Sequence, residues 1–211
     1  ILAQPLCKGV FLCYTIFIYK NIMNPQTLLD IENADDLQMK EILLAVLKWF
    51  KKKGLANPFN YNFGFEFIQA VTHGFRVAPV GGGSDGISLI DPNITAEFKA
   101  TEYKGHNKKG VDKSHSFSYN GTSRFDTIED QKEYCYNKIM RDPHHYWTIF
   151  DYNLGSLYKT FKVKNSDVWS LIWTKWEKSW YNTNNKDPRI GGSVSTNEMK
   201  KLNIQPEVIN H

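Results

Sequence analysis

Residues 94–101 read ITAEFKAT, and apolar and polar side chains alternate through them without a break. A period of two is the signature of a strand with one face in a core. Ile94, Ala96, Phe98 and Ala100 share the apolar face, and Thr95, Glu97, Lys99 and Thr101 share the polar one. The pattern predicts a strand over 94–103. Just upstream, Asp91-Pro92-Asn93 predicts a turn and 86–90 a partner strand, so the two make a hairpin. Gly81-Gly82-Gly83 predicts a further turn, and 75–80 a strand before it.

Elsewhere the period is helical. Met39, Leu43, Val46, Leu47 and Phe50 form a stripe over 34–53, with Asp35 and Asp36 at its start and Lys51-Lys52-Lys53-Gly54 at its end. Basic residues in a last turn suit the macrodipole, so that lysine run reads as a solvated helix end. Asn62 is placed to cap a second helix through His73, with Phe63, Phe67, Ala70 and Val71 inward and Gly74 ending it. A third is predicted over 127–140, with Ile128, Tyr134, Cys135 and Ile139 inward, broken by Asp142-Pro143. Strands over 146–152 and 157–163 join through Asn153-Leu154-Gly155-Ser156 as a hairpin. Ser166 or Asp167 is placed to cap a last helix through about 181, whose stripe of Trp169, Ile172, Trp173, Trp176 and Trp180 reads as core. The segment 105–113 reads as a lysine-bearing loop. Residues 114–124 are rich in Ser, Tyr, Asn and Gly, and the polar tail from about 182 reads as a loop arm. The order predicts a single α/β (α+β) domain, a central mixed β-sheet flanked by helices.

Composition narrows this picture only a little. A chain of 211 residues fits one domain, or one with extensions. The excess of 26 Lys+Arg over 22 Asp+Glu, net +4, favours a polyanionic partner weakly. Cys7, Cys13 and Cys135 make neither a disulfide framework nor a zinc pattern, which points to a reducing, cytoplasmic setting. The apolar run 10–19 falls short of the ~20 residues that span a bilayer, so no membrane association is expected. It reads either as upstream read-through, with residues 1–22 preceding a native start at Met23 and a domain over 23–211, or as a β-strand or buried arm.

The charged residues of the hairpin change the picture most. Asp85 opens the first strand, and Glu97 and Lys99 lie side by side on the polar face of the second. Two carboxylates suit a hard cation such as Mg²⁺, which keeps several waters and takes substrate phosphate oxygens. A bound divalent ion lowers the pKa of its water and neutralises charge on a phosphate. An adjacent ammonium, Lys99, would position or help deprotonate the water and stabilise the same charge. Asp91 reads as a turn former, and Glu102 falls on the opposite face.

Ser84-Asp85 followed by Glu97-Phe98-Lys99 resembles the motif of the PD-(D/E)xK nuclease superfamily, which includes most type II restriction endonucleases. Ser84 stands where that family often has proline. The resemblance covers the element order from about residue 62 to 152. It implies a restriction-endonuclease-like fold with Asp85 and Glu97 as metal ligands, Lys99 handling the attacking water, and Glu66 assisting from the preceding helix. It further implies one or two Mg²⁺ per site and hydrolysis of double-stranded DNA to 5′-phosphates by a homodimer. One branch carries Gln and Tyr four positions apart on the following helix; Gln131 and Tyr134 are three apart and do not match. The expected function is a Mg²⁺-dependent, sequence-specific DNA endonuclease of type II restriction class. The alternatives are a structure-specific repair or recombination nuclease and a non-catalytic DNA-binding protein on the same fold.

DNA contacts are expected from Lys104, Lys108, Lys109 and Lys113 and from Ser118, Tyr119, Asn120, Thr122, Ser123 and Arg124, with Arg189 from the tail. Lysines, hydroxyls and amides suit phosphates, and Asn or Arg suits base edges. His144-His145 lacks the companion ligands of a metal site, and Gly81-Gly82-Gly83-Ser84 lacks the ending of a phosphate-binding loop.

Overall fold

The computed structural model describes residues 31–59, 62–79, 83–151, 153–182 and 189–211. The apolar run 10–19 lies outside them. The chain divides into two compact units, Ile1–Gly54 and Leu55–His211. In the first unit, helix α1 (Asp36–Lys52) follows the predicted stripe and starts at a capping box. The Gln38 N–H donates to Asp35 Oδ1 at 2.8 Å, and the Asp35 N–H donates to Gln38 Oε1 at 2.9 Å, so two of the bare N–H groups are satisfied.

The second unit carries helix α2 (Phe63–Thr72), strands β1 (Phe75–Val77), β2 (Gly86–Ser88), β3 (Thr95–Glu102) and β4 (Ser116–Ser123), helix α3 (Ile128–Met140), strands β5 (His144–Asp151) and β6 (Ser156–Lys164), helix α4 (Asn165–Tyr181), strand β7 (Arg189–Ser195), helix α5 (Thr196–Lys201) and strand β8 (Glu207–Asn210). A six-stranded mixed sheet runs in the order β1-β2-β3-β5-β6-β8. β3 and β5 are parallel, and the other neighbours are antiparallel. The predicted α/β class and central mixed sheet are therefore found. A parallel pair needs a crossover; here β4 and α3 supply it.

Strand parity decides what each face holds. Phe98 sits beside Tyr146, and Glu97 and Lys99 beside His145 and Trp147. Ala96, Phe98 and Tyr146 form one buried cluster with Ala70 and Phe75. Trp147, Ile149 and Val163 form the larger one with Phe117, Cys135, Ile139, Ile172, Trp173 and Trp176. The tryptophan stripe of α4 is thus core, as its period predicts. Glu97 and Lys99 share the face of that larger core but stop at its rim.

Several expectations change. Residues 116–123 are a strand, and the tail expected as a loop arm folds as β7, α5 and β8. β4 and β7 pair with each other as a second, two-stranded sheet, Phe117 opposite Val194. Phe117, Tyr119, Ile190 and Val194 are its inward, buried residues. α4 begins at Asn165, one residue before the earliest expected cap, because the Asn165 side chain donates to the carbonyls of Ile139 and Asp142 and anchors the helix start. Val71 and Tyr134 are exposed rather than inward. The Asp91 turn forms as expected: the Ile94 N–H donates to the Asp91 carbonyl at 3.0 Å, and the Asn93 N–H donates to Asp91 Oδ1 at 3.0 Å.

Candidate metal and phosphate site

The β2–β3 ladder is short. It pairs Gly86 with Ala96 and Ile87 with Thr95 and ends there. The Asp85 N–H still donates to the Ala96 carbonyl at 3.0 Å, but the next donor on β3, the Phe98 N–H, has no strand opposite it. Asp85 Oδ2 accepts that N–H at 2.7 Å. A carboxylate thus takes the place of a ladder carbonyl and lies over the backbone between Glu97 and Lys99. Gly86 permits the approach, since a Cβ there would fall 2.7 Å from the Phe98 ring.

Lys99 Nζ donates to Glu97 Oε1, and Arg141 lies 3.8 Å from Glu97 Oε2. Asp85, Glu97 and Lys99, named from sequence, therefore come together, and Glu66 on α2 is near enough for its charge to act on Asp85 and Lys99. Burial pushes the Asp85 carboxyl up to about 7, and the Glu97 charge adds to this against the opposing pull of Lys99. Burial also raises Glu66. For Lys99 burial favours the neutral amine, yet Glu97, Asp85 and Glu66 outweigh it and the pKa rises. Lys99 is therefore an ammonium at neutral pH. It can hold a water or stabilise a phosphate, but it does not start as a base.

Two cations here were not anticipated. α3 ends against the site, and Lys138 and Arg141 line a cavity of about 30 Å³ with Glu97, Lys99, Tyr119 and His145. Burial, with Lys99 and Arg141 nearby, lowers the Lys138 pKa against the pull of Glu97. A water needs roughly 10–15 Å³ of such space, so the cavity takes a water or two, or one phosphoryl oxygen with its phosphorus outside. Lys138 and Arg141 fall one helical turn apart before the Asp142-Pro143 break, a visible spacing. What sequence does not reveal is that this helix end meets Asp85.

Behind Lys99 the wall is a buried hydrogen-bonded chain. Trp147 Nε1–H donates to Tyr119 Oη at 2.6 Å, and Tyr119 Oη in turn lies 2.7 Å from His145 Nδ1. An indole only donates, so the tyrosine hydroxyl accepts from Trp147 and keeps its own proton available for His145 Nδ1. Burial holds His145 neutral, at about 3. The Lys99 ammonium lies 5.6 Å from the Tyr119 ring centroid, within cation–π range.

The expected DNA-contact residues divide. Lys104, Lys108, Lys109 and Lys113 are exposed on a loop leaving the far end of β3, and Ser118, Ser123 and Arg189 are exposed on the two-stranded sheet. At ~3.3 Å per residue, Glu102 lies ~10 Å along the strand from Lys99, so the loop is a remote arm of any footprint. Tyr119 and Thr122 are buried, at 3% and 1% exposure, and are placed to line or support the core. The side chain of Asn120 lies outside the described residues. Arg124 donates to the carbonyls of Ser179 and Asn182 at 3.0 and 3.2 Å, tying down the end of α4. Gln131 accepts the Phe125 N–H at 2.8 Å, a structural role.

Among the described residues, no group of three or more His, Cys, Asp or Glu side chains is arranged to hold a metal ion. Mg²⁺ asks for less, one or two carboxylates with waters and phosphate oxygens completing the shell. Asp85 and Glu97 meet that in donor type, and a divalent ion would favour the charged form of Asp85, whose pKa is raised first by burial and then by the Glu97 charge. No helix among the described residues is long and apolar enough to cross a membrane. No protein-family model matches the chain, and no curated protein matches its sequence.

Proposed function

We propose that this protein is a Mg²⁺-dependent DNA endonuclease of type II restriction character, with a restriction-endonuclease-like fold and a PD-(D/E)xK-like site. The observation that carries the reading is the Asp85 carboxylate seated on the Phe98 N–H, between Glu97 and Lys99. That seat gathers two carboxylates and an ammonium where β3 has run past the end of β2, beside the small cavity under the end of α3.

Asp85 and Glu97 would hold the ion, which when bound supplies an acidified water and positive charge at the phosphate. The chain's own residues do the rest. Glu66 accepts a hydrogen bond from the attacking water and orients it. Lys99, held beside Glu97, faces the non-bridging phosphate oxygens where charge builds, and Lys138 faces the same oxygens from α3. Fixed cations at a partly dry site contribute through preorganisation, since they need not reorient at the moment of reaction. Double-strand cleavage would follow from two copies acting on opposite strands. The lysine loop 104–113 would contact the backbone farther along the duplex.

Digestion of a supercoiled plasmid tests this. Discrete fragments with Mg²⁺ and none with EDTA are expected from the purified chain, and Lys99→Ala should lose at least ~100-fold in rate while DNA binding in Ca²⁺ persists. Cutting confined to branched or mismatched DNA would move the assignment to a repair or recombination nuclease. Binding without cutting under any divalent ion would leave a DNA-binding module. Undiminished cutting by Lys99→Ala would remove the mechanism.

A further inference from the structure

Arg141 is the first residue after α3, and its guanidinium reaches across to the loop that carries Asp85. Nε donates to Ser84 Oγ at 3.1 Å, and Nη2 donates to the Gly83 carbonyl. The same group lies 3.4 Å from Asp142 Oδ2 and 3.8 Å from Glu97 Oε2. Gly83 is shaped for this contact. Its φ is +88°, and a Cβ there would stand 2.6 Å from Arg141 Nη1. Asp142 is buried at 1% exposure, and its carbonyl accepts from the Asn165 side chain, so the guanidinium is held from behind by a fixed turn.

On its other side Asp85 is already secured. The Ala78 N–H donates to its carbonyl at 2.9 Å and its own N–H donates to Ala96. The unsecured side is Gly83-Ser84, where neither residue restrains φ by itself. Proline, which stands at the second of these positions in the PD-(D/E)xK pattern, would restrain it through the ring. We propose that Arg141 is the positioning residue for Asp85: it clamps Gly83 and Ser84 and so holds the Asp85 carboxylate on the Phe98 N–H beside Glu97. Hydrogen bonds from the end of α3 thereby do the work of a ring at position 84. That the positioned carboxylate binds metal rests on the nuclease reading; the clamp itself does not.

Two measurements on the full chain separate the two ideas. The first is amide exchange by NMR at Phe98, taken relative to Trp147 in the core strand so that a global loss of stability cancels. Arg141→Lys keeps the charge and loses the fork, and Ser84→Ala removes one clamped atom. Both should speed Phe98 exchange relative to Trp147, by about tenfold or more for Arg141→Lys and severalfold for Ser84→Ala. The double variant should match Arg141→Lys alone, because both changes break the same clamp. An unchanged ratio in both single variants overturns the clamp, and Ser84→Ala decides the matter should Arg141→Lys fail to fold. The second is Mn²⁺ titration by calorimetry. If the wild-type chain binds Mn²⁺, Arg141→Lys should weaken it at least fivefold. Equal affinity in that variant would overturn the positioning of a metal ligand. A wild-type chain that fails to bind Mn²⁺, yet shows the exchange effect, would sink the metal reading and leave the clamp standing.

Discussion

Asp85→Asn should make the metal-free protein more stable at neutral pH, even though it removes a residue from the centre of the proposed site. The folded-state pKa of Asp85 is raised from 3.8 to about 7, first by burial and then by the Glu97 charge. A raised carboxyl binds its proton more tightly in the native state, so the unfolded chain holds fewer protons between these values. Stability from this group is therefore complete below pH ~4 and is lost as pH rises through ~7. A shift of about three units at ~1.4 kcal/mol each sets a ceiling of ~4 kcal/mol. The amide of asparagine keeps an acceptor for the Phe98 N–H but gives up the attraction to Lys99, so a gain nearer ~2 kcal/mol is expected. For a chain of this size that is a rise of ~4–8 °C in Tm. The assay is thermal unfolding in EDTA for both proteins at half-unit steps from pH 4 to 8.5. The curves should meet near pH 4, separate through pH 7 and run parallel above it. Adding Mg²⁺ at pH 8 should raise the wild-type Tm, because a ligand that binds the native state stabilises it by mass action, and should leave Asp85→Asn unmoved. Parallel profiles from pH 4 to 8.5, or a less stable variant above pH 7, would refute the account of a charge held under strain for a cation.

The same titration predicts that Mg²⁺-supported DNA cleavage climbs with pH through ~7 as Asp85 loses its proton, and that raising Mg²⁺ moves the midpoint to lower pH; a midpoint indifferent to Mg²⁺ would count against Asp85 as a ligand. Tyr119→Phe strips the partner from both the Trp147 N–H and the His145 Nδ1, and should cost ~1–3 kcal/mol in urea unfolding. Arg124→Ala should lower stability by ~1–2 kcal/mol through the freed end of α4, with DNA affinity measured below the Tm unchanged. Replacing Lys108, Lys109 and Lys113 together by alanine should flatten the salt dependence of DNA binding, by ~0.9 in log–log slope for each phosphate no longer neutralised, and leave the cut position where it was.

What the sequence revealed follows from how local each signal is. β3 shows a strict period of two, α3 and α4 show helical stripes, and Asp91 makes its turn within three residues; each pattern is written inside the element that obeys it. β4 and β7 are different. Ser116–Ser123 and Arg189–Ser195 are both rich in Ser or Gly, and their register joins residues 66 to 79 positions apart, from Ser123 opposite Arg189 to Ser116 opposite Ser195. Each is half of a strand pair whose reason to be a strand is the other half. The alternation of Phe117, Ser118 and Tyr119 was a usable hint, but a bulge between Tyr119 and Thr122 ends it after three residues. Arg141 was hidden for a similar reason: its partner Ser84 lies 57 residues away, brought near by the crossover from β3 to β5.

The crossover also explains the charge balance of the site. The hairpin alone supplies Asp85, Glu97 and Lys99, and α2 adds Glu66, an acidic surplus that would invite a cation indiscriminately. Laying the end of α3 over the same edge brings Lys138 and Arg141, so three positive charges now face Asp85, Glu97 and Glu66, with Asp142 beside Arg141 as a fourth carboxylate. Of those carboxylates Asp85 is half-protonated near pH 7 and Glu66 is raised by burial. The unloaded site is therefore close to neutral, and a divalent ion entering alone adds a charge that Lys99, Lys138 and Arg141 oppose. An ion arriving with a phosphodiester does not meet this penalty, because the phosphate oxygens take up both the ion and the lysines. The arrangement thus couples metal and substrate: each should bind more tightly in the presence of the other, and Lys138→Met should strengthen the binding of Mn²⁺ alone while weakening that of DNA in Ca²⁺.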